Sequence, residues 1–467
     1  MTDHDVAVLG AGPAGLAAAY RLAQRGRSVV VLERSHTVGG LAGSFEVGGM
    51  RVDHGSHRLH PSCAPPIMAV LRDLLGADLQ RRVRNGRVRL GGRWVAFPPR
   101  AGDLVRHLPP RFAAGVARDA LTARWRRLPR ADTFAEVVRA GLGPTMANGF
   151  YGPYVRKIWG VDPGELSGEL ARRRVGARSP GALWRKLARP NAAKPDARAF
   201  YYPRRGYGSI VERLADAAVD AGAKLELGAE VSGIDLATGG DTVVHRSGAA
   251  PIVAGQAWST LPLTLLARLI DPPAPPAARA AAEELSFRAL ALVYLVLDRP
   301  RYTPFDAHYF PDLDVPFSRI SEPKNYRDGA GADPSDRTVL CAEVPCARGD
   351  AVWKANDDEL GARVAAGLAA QGLPDATPTE VVVRRVPAAY PLYDLGYEAR
   401  FARLDEWARS LPSVLTFGRH GLFTHDNTHH ALAMGWAAAD AAGPDGEIDG
   451  ARWDAARRTF ASHVVED

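Results

Sequence analysis

Three glycines, at positions 10, 12 and 15, constrain this chain more than any other feature of its sequence. A short apolar run, residues 5–9, precedes them, and an Ala- and Leu-rich stretch, residues 16–24, follows and is stopped by Gly26. A β-branched run, residues 28–32, then ends at Glu33. Strand, tight turn, helix and strand in that order make a βαβ unit. Each glycine has a task in it: Gly10 permits the sharp turn, Gly12 lets backbone approach a pyrophosphate, and Gly15 lets helix and strand pack closely. Pro13 and Ala14 lie within the turn, and the helix that follows offers free N–H groups and a positive dipole end to phosphate. Glu33 is placed to accept both hydroxyls of a ribose, and its charge argues against a 2′-phosphate there. The unit reads as a dinucleotide site.

Two further α/β pieces lie far along the chain. In residues 208–231, Ile210, Val211, Leu214, Ala217 and Ala218 fall at helical spacing, Gly222 ends the helix, and 224–231 is a strand candidate. Near the C-terminus, 414–417 reads as a strand and 429–442 as a helix. Two long inserts separate these pieces. Residues 61–200 are Arg-rich and read as mostly helical; residues 263–409 are mixed, with strand runs at 290–297, 338–344 and 380–386. The expected fold class is therefore α/β. A Rossmann-like domain is drawn from residues 1–60, 201–262 and 410–450, and an α+β substrate or cap domain from 61–200 and 263–409.

Composition narrows the functional classes. Three cysteines, Cys63, Cys341 and Cys346, cannot form a disulfide framework or a four-thiolate zinc site, and fit a reducing cytoplasm. His429 and His430 beside Asp426 lack further ligands at a convincing spacing, so no metal is expected. No apolar run reaches the roughly 18 residues of a membrane helix, and the N-terminus enters a strand with no signal peptide before it. Net charge is +7, yet residues 81–130 carry +12 and 172–205 carry +10, leaving −15 for the rest. Such blocks suit an anionic substrate, an acidic membrane surface or a solvated face. Nucleic acid is not expected, because no helix-turn-helix, zinc-finger or RNP-like pattern accompanies them.

After Glu33 the turn continues with Arg34 and then Gly39-Gly40-Leu41-Ala42. Here residues 5–60 resemble the two-dinucleotide-motif flavoproteins of the amine oxidase, protoporphyrinogen oxidase and phytoene desaturase superfamily. Their fingerprint also runs on as acid, basic residue, four residues, Gly-Gly. The resemblance implies tightly bound FAD, and the second glycine pair offers another bare backbone segment to a long cofactor. Residues 202–208 resemble the family segment leading into the second α/β piece, and Val231 stands where the family's backbone meets adenine. Gly418 and Arg419, followed by Asn427 and Thr428 at a helix start, resemble the C-terminal flavin motif. A helix beginning there would stabilise negative charge on the reduced ring.

The inserts resemble UDP-galactopyranose mutases and bacterial protoporphyrinogen-oxidase-like proteins most closely. The carrying segments are Gly55-Ser56-His57-Arg58-Leu59-His60, Tyr154 to Gly160 with Lys157 and Trp159, Arg319 to Asn325, and Ala389-Tyr390-Pro391. The resemblance implies His57 beside the flavin and His60, Tyr154, Trp159, Arg319 and Tyr390 toward substrate; Arg174 and Arg178 are candidates for phosphate contact. Arg319 with Glu322 alternatively reads as a surface ion pair. Where the mutases carry diphosphate-binding tyrosines, this chain has Phe423, Thr424 and His425; Phe cannot hydrogen-bond a phosphate, and His425 does so when protonated. The leading expectation is an FAD-dependent oxidoreductase that dehydrogenates a small molecule by hydride transfer to flavin N5. In it His57 serves as base, with Arg319 and His425 also in the catalytic set. The alternative is a redox-neutral isomerase acting on a nucleotide sugar through reduced FAD. A third reading is a non-catalytic flavoprotein on a membrane surface; peripheral membrane contact is also compatible with an active enzyme.

Overall fold

The computed structural model describes residues 2–99, 101–123, 132–175, 198–237, 240–328, 333–444 and 446–465. Its first sheet is organised around β1 (His4–Leu9), which pairs in parallel with β2 (Val29–Glu33) on one side and β3 (Ala249–Ser259) on the other. Strand Lys224–Leu227 extends the sheet in parallel beyond β2, and Val414–Thr416 pairs in parallel with the C-terminal half of β3. A strand with parallel neighbours on both sides is buried on both faces, and β2 reads as an unbroken apolar run for that reason. Alternate residues serve opposite layers. Val6, Val8, Val29 and Val31 join one core, while Ala7, Leu9, Val30 and Leu32 join the other.

The first layer holds α1 (Pro13–Ala23), α2 (Ser209–Asp220) and α3 (Thr428–Ala441). The pieces from the start, middle and end of the chain are thus joined through one core. Close approach of α3 to α1 depends on Gly435, where a Cβ would lie 2.0 Å from the carbonyl oxygen of Ala14. The opposite face is covered by residues of both inserts, among them Leu170, Leu266, Ala281 and Leu404.

A second sheet of seven strands runs in the order Glu380–Pro391, Phe287–Leu297, Thr338–Cys346, Arg319–Ser321, Ala307–Tyr309, Gly86–Leu90, Arg93–Phe97. The last two strands differ from the helical reading of the Arg-rich insert. Arg87-Val88-Arg89-Leu90 alternates with period two, and its apolar members are buried, so the arginines lie on the other side of a hairpin strand. Between the two sheets lies the hairpin Ser44–Val47 and Met50–Asp53, whose Val47, Met50 and Val52 pack on Leu290, Leu292 and Tyr294. The loop after Asp53 therefore emerges between the two sheets. Among the described residues no helix is long and apolar enough to cross a membrane.

Candidate cofactor and substrate site

The N-terminal turn has the geometry its glycines require. Gly10 has φ +102°, and a Cβ there would meet Thr260 Oγ1 at 2.5 Å. A Cβ on Gly15 would stand 2.0 Å from the Gly10 carbonyl oxygen. At Gly12 a Cβ would meet no protein atom within 4 Å, although Gly12 caps α1 and lies between the crowded Gly10 and Gly15. Gly39 has φ +113° and donates its N–H to Ala11 at 2.8 Å, which carries the second glycine pair to the first. A Cβ on Gly40 would have the Gly12 Cα as nearest atom, 3.7 Å away, so two bare backbone segments adjoin. Leu41 and Ala42 form the short 3₁₀ turn behind them. Both oxygens of buried Glu33 are anchored, Oε2 by Ala11 N–H and Oε1 by Ser35 N–H, each at 2.9 Å, and each keeps a lone pair for a ribose hydroxyl. From the other end of the chain, Gly418 has φ +84° and its Cβ would stand 3.1 Å from the Ala14 side chain. Asn427 begins α3, its N–H directed to His430 Nδ1 at 3.3 Å, with Thr428 as the first helical residue. An open cradle of backbone, a fixed ribose-binding acid and two helix starts fit the diphosphate and ring of FAD.

His57 stacks on Tyr207, with ring centroids 5.2 Å apart. Burial and the nearby Arg319 push its imidazole down to about 3, with His54 and Arg419 acting in the same direction. Such a base would take up a proton at neutral pH against about four decades of unfavourable equilibrium. The ring is thus disfavoured as a proton acceptor in this setting, and its Nδ1 is buried with no hydrogen-bond partner among the described residues. Arg319 also differs from expectation. Its partner is Glu343, not Glu322; Nη2 and Nε donate to Glu343 Oε1 at 2.6 and 3.0 Å. The pair is largely buried, with side chains 16% and 4% exposed, so it is no surface bridge. Glu343 Oε1 also accepts the Ser56 N–H at 3.0 Å, and the pair thereby fixes the loop carrying His57. Glu322 is buried elsewhere, accepting from Tyr302 N, Thr303 N and Thr338 Oγ1.

A second group meets this loop through Arg419, which donates to the carbonyls of Asp426 and Ala389 at 2.6 and 2.7 Å and lies over the Tyr390 ring. The Tyr390 and His425 rings are 5.0 Å apart, and Trp159 lies 6.0 Å from His425. The Arg174 guanidinium covers the Trp159 ring at 4.9 Å. Burial, with Arg174 and Arg419 beside it, holds His425 well below the ordinary histidine range, so the protonated form that would bind phosphate is disfavoured. Phe423 faces the core against Tyr393 and Phe287.

The structure thus groups His57, Arg319, Arg419, Tyr390, His425, Trp159 and Arg174. Other candidates stand apart. His60 bonds Ser62 and lies beside His429; Tyr154 stacks on Phe150; Arg34 is exposed; Val231 begins a strand paired with Arg246. Arg178 lies outside the described residues. Three important residues were given no role by the sequence. Asp53 is a buried carboxyl, raised by that burial, which accepts from Ser44 Oγ, Tyr202 Oη and Tyr207 N. Arg58 is buried between Phe200 and Tyr326 and pairs with Asp306 at 3.3 Å. Glu343 was legible only as a lone acid within the apolar run of Thr338–Cys346, where a buried charge requires a partner. His463 of the C-terminal tail lies with Asp426 and His430, a proximity that sequence spacing does not encode.

Comparison with known proteins accords with this geometry. A putrescine oxidase solved with putrescine bound aligns over 94% of this chain and 98% of its own, at 20% identity and a TM-score of 0.67. Reduced UDP-galactopyranose mutase aligns over 99% of this chain and 100% of its own, at 20% identity and a TM-score of 0.81. At those identities the likeness speaks for the fold. In sequence, a provisionally named flavin-containing monoamine oxidase of Mycobacterium tuberculosis, AofH, is 30% identical over 289 residues, 58% of this chain. The matched region spans 60% of that relative's length. The profile of flavin containing amine oxidoreductases matches residues 13–442. That span takes in both glycine pairs, both inserts and the C-terminal motif, so the chain belongs to the flavin containing amine oxidoreductase family and FAD is its cofactor.

Proposed function

We propose that the protein is an FAD-dependent oxidoreductase that dehydrogenates a small substrate bearing an anionic group. One observation carries the substrate class: Arg174 lies over Trp159 beside Tyr390 and a neutral His425, and has no carboxylate partner among the described residues. An unpaired guanidinium on an aromatic wall matches a carboxylate or phosphate, and it repels a protonated amine. When bound, FAD supplies a hydride acceptor. The residues named here would then do the remaining work. Gly10 to Gly15, Glu33, Arg34 and Gly39 to Ala42 hold the dinucleotide, with Val231 at the adenine and Gly418, Arg419, Asn427 and Thr428 at the ring end. Arg319, fixed by Glu343, holds the Gly55–His57 loop, and His57 packs as a neutral ring. Trp159 and Tyr390 wall the substrate and exclude water, and Arg174 orients its anionic group.

The same guanidinium suits the diphosphate of a nucleotide sugar, which keeps the redox-neutral isomerase as a second reading. Anaerobic flavin spectra separate the two. Bleaching of oxidised flavin by an anionic substrate from a panel of porphyrinogens, carboxylated small molecules and nucleotide sugars is the expected result. Bleaching by uncharged polyenes or by amines alone would remove the anionic assignment. Nucleotide-sugar turnover only after dithionite reduction would replace the oxidoreductase with the isomerase.

A further inference from the structure

The start of α3 and the tail after the last helix meet over one carboxylate. Asp426 has a fully buried side chain, and its Oδ2 accepts Thr424 Oγ1 at 2.8 Å. Its Oδ1 faces Nδ1 of His430, in the first turn of α3, at 3.4 Å, and Nδ1 of His463, just beyond the helix Gly450–Ala461, at 3.5 Å. The two imidazoles lie face to face, with centroids 4.0 Å apart and planes 15° from parallel. His429 also lies 4.0 Å from His430, tilted by 48°, and His60 lies 5.8 Å from His429. Three segments far apart in the chain thus bring four histidines into one cluster.

Burial alone would raise the Asp426 carboxyl, but its contacts with His430 and His463 hold it below the ordinary carboxylate range, so it stays anionic in mildly acidic solution. Arg173 lies near this carboxylate and pairs with Glu169, while Arg419 donates to backbone carbonyls, that of Asp426 among them. Two guanidinia and two carboxylates therefore balance while both rings are neutral. Tyr393 adds no charge, because burial pushes its hydroxyl up to about 12, and His425 is held neutral. One imidazolium can share Asp426. Two stacked imidazoliums would repel each other at 4.0 Å, in buried surroundings that screen poorly, with one carboxylate oxygen facing both. We propose that the His430–His463 stack is an acid-released latch: it holds the C-terminal tail on the start of α3 while at most one ring is protonated, and lets the tail go when both are.

The surroundings decide which side yields. His430 is held in the first turn of α3, where the Asn427 N–H lies 3.3 Å from its Nδ1. The positive end of that helix also disfavours a second cation beside it. His463 sits on a tail tied by few bonds: its N–H bonds Phe460 O at 3.1 Å, Val465 N–H bonds Arg173 O at 2.9 Å, and Arg173 Nη2 donates to Ala461 O at 3.1 Å. The His463 side chain is 13% exposed, so protons reach it from solvent, and its ring lies 5.5 Å from that of Phe460. The tail is therefore the part that moves. The proposal does not depend on the substrate reading.

The test uses the full-length flavoprotein and amide hydrogen exchange read by mass spectrometry, with rates corrected for the pH dependence of chemical exchange. In the wild type, protection of residues 459–465 is expected to fall about tenfold or more between pH 8 and pH 5. Peptides from β1 and the FAD-to-protein absorbance ratio should stay unchanged over that range, which separates release of the tail from acid unfolding. His463→Phe keeps a ring that can stack and removes the proton, so its tail should be equally protected at both pH values. His430→Phe leaves His463 alone with Asp426 and should likewise stay docked at pH 5, and it serves if His463→Phe does not dock. A wild-type tail equally protected at both pH values would overturn the proposal. So would an acid loss that persists in both variants, or one that appears only together with loss of protection in β1.

Discussion

Gly12 and Gly15 stand three residues apart in one turn, yet a side chain has opposite consequences at the two positions. At Gly12 it would enter space bounded by no protein atom, whereas at Gly15 it would strike the Gly10 carbonyl. Gly12→Val is therefore expected to fold with unchanged circular dichroism and to lose its yellow colour, because only the cofactor's pyrophosphate contests that space. Gly15→Val is expected to lose soluble protein altogether. Full flavin retention in folded Gly12→Val would displace the diphosphate from this turn. The turn was legible because Gly10 and Gly15 are dictated by backbone geometry and Gly12 by the close approach a pyrophosphate needs. The Arg319 partner was not. Sequence neighbours suggested Glu322, while strand pairing sets Arg319 opposite Glu343, a residue far along the chain. Glu343→Gln leaves a largely buried guanidinium without its charge partner and weakens the acceptor of the Ser56 N–H, so a loss of about 3 kcal/mol in denaturant-derived stability is expected. Arg319→Met combined with Glu343→Leu should recover part of it, since both charges then leave together.

Helix on helix, the decisive contact is α3 against α1. Gly435→Ala would place a methyl group 2.0 Å from the Ala14 carbonyl oxygen, and backbone cannot yield as a flexible side chain does. The helices must separate, at a cost of about 1–3 kcal/mol. Ala14 lies in the turn proposed to hold the cofactor, so the FAD-to-protein ratio should fall along with the thermal midpoint. A lower midpoint at full FAD content would show that α1 keeps its place while α3 gives way. Elements with a strong period were legible in the sequence. The βαβ unit, α2, and the long strands Phe287–Leu297 and Thr338–Cys346 announce themselves by continuous or periodic burial. The hairpin Gly86–Leu90 and Arg93–Phe97 was hidden by its arginines, which suit a helix equally well by propensity. Only the partner strand decides between the two. The third member of the Asp426 cluster was hidden for a related reason: His463 reaches it through tertiary packing of the last helix, and no local spacing encodes that.

Across the whole molecule, two neutral imidazoles tie stability to acidity. His57 lies on the loop between the sheets, and His308 lies in the second sheet with Trp94 and Phe305 against its ring. Burial pushes both down to about 3, helped by Arg319 at His57 and Arg87 at His308. In the unfolded chain both would titrate near the ordinary histidine value of about 6.5. Between those limits the unfolded state binds protons that the folded state refuses. Their contribution is thus fully present above pH 6.5 and is lost progressively as pH falls toward 3. Each such group adds a slope of up to about 1.4 kcal/mol per pH unit in that window. The denaturation midpoint should then be flat from pH 7 to 8 and fall steadily below pH 6. His308→Gln removes one titrating ring without introducing charge, so its slope between pH 6 and 4 should be shallower by up to one proton's worth. Parallel slopes in wild type and variant would mean that the folded protein protonates His308 as readily as the unfolded chain does. That outcome would require the second sheet to admit water around Trp94 and Phe305, because burial of the ring is the largest cause of its depressed value.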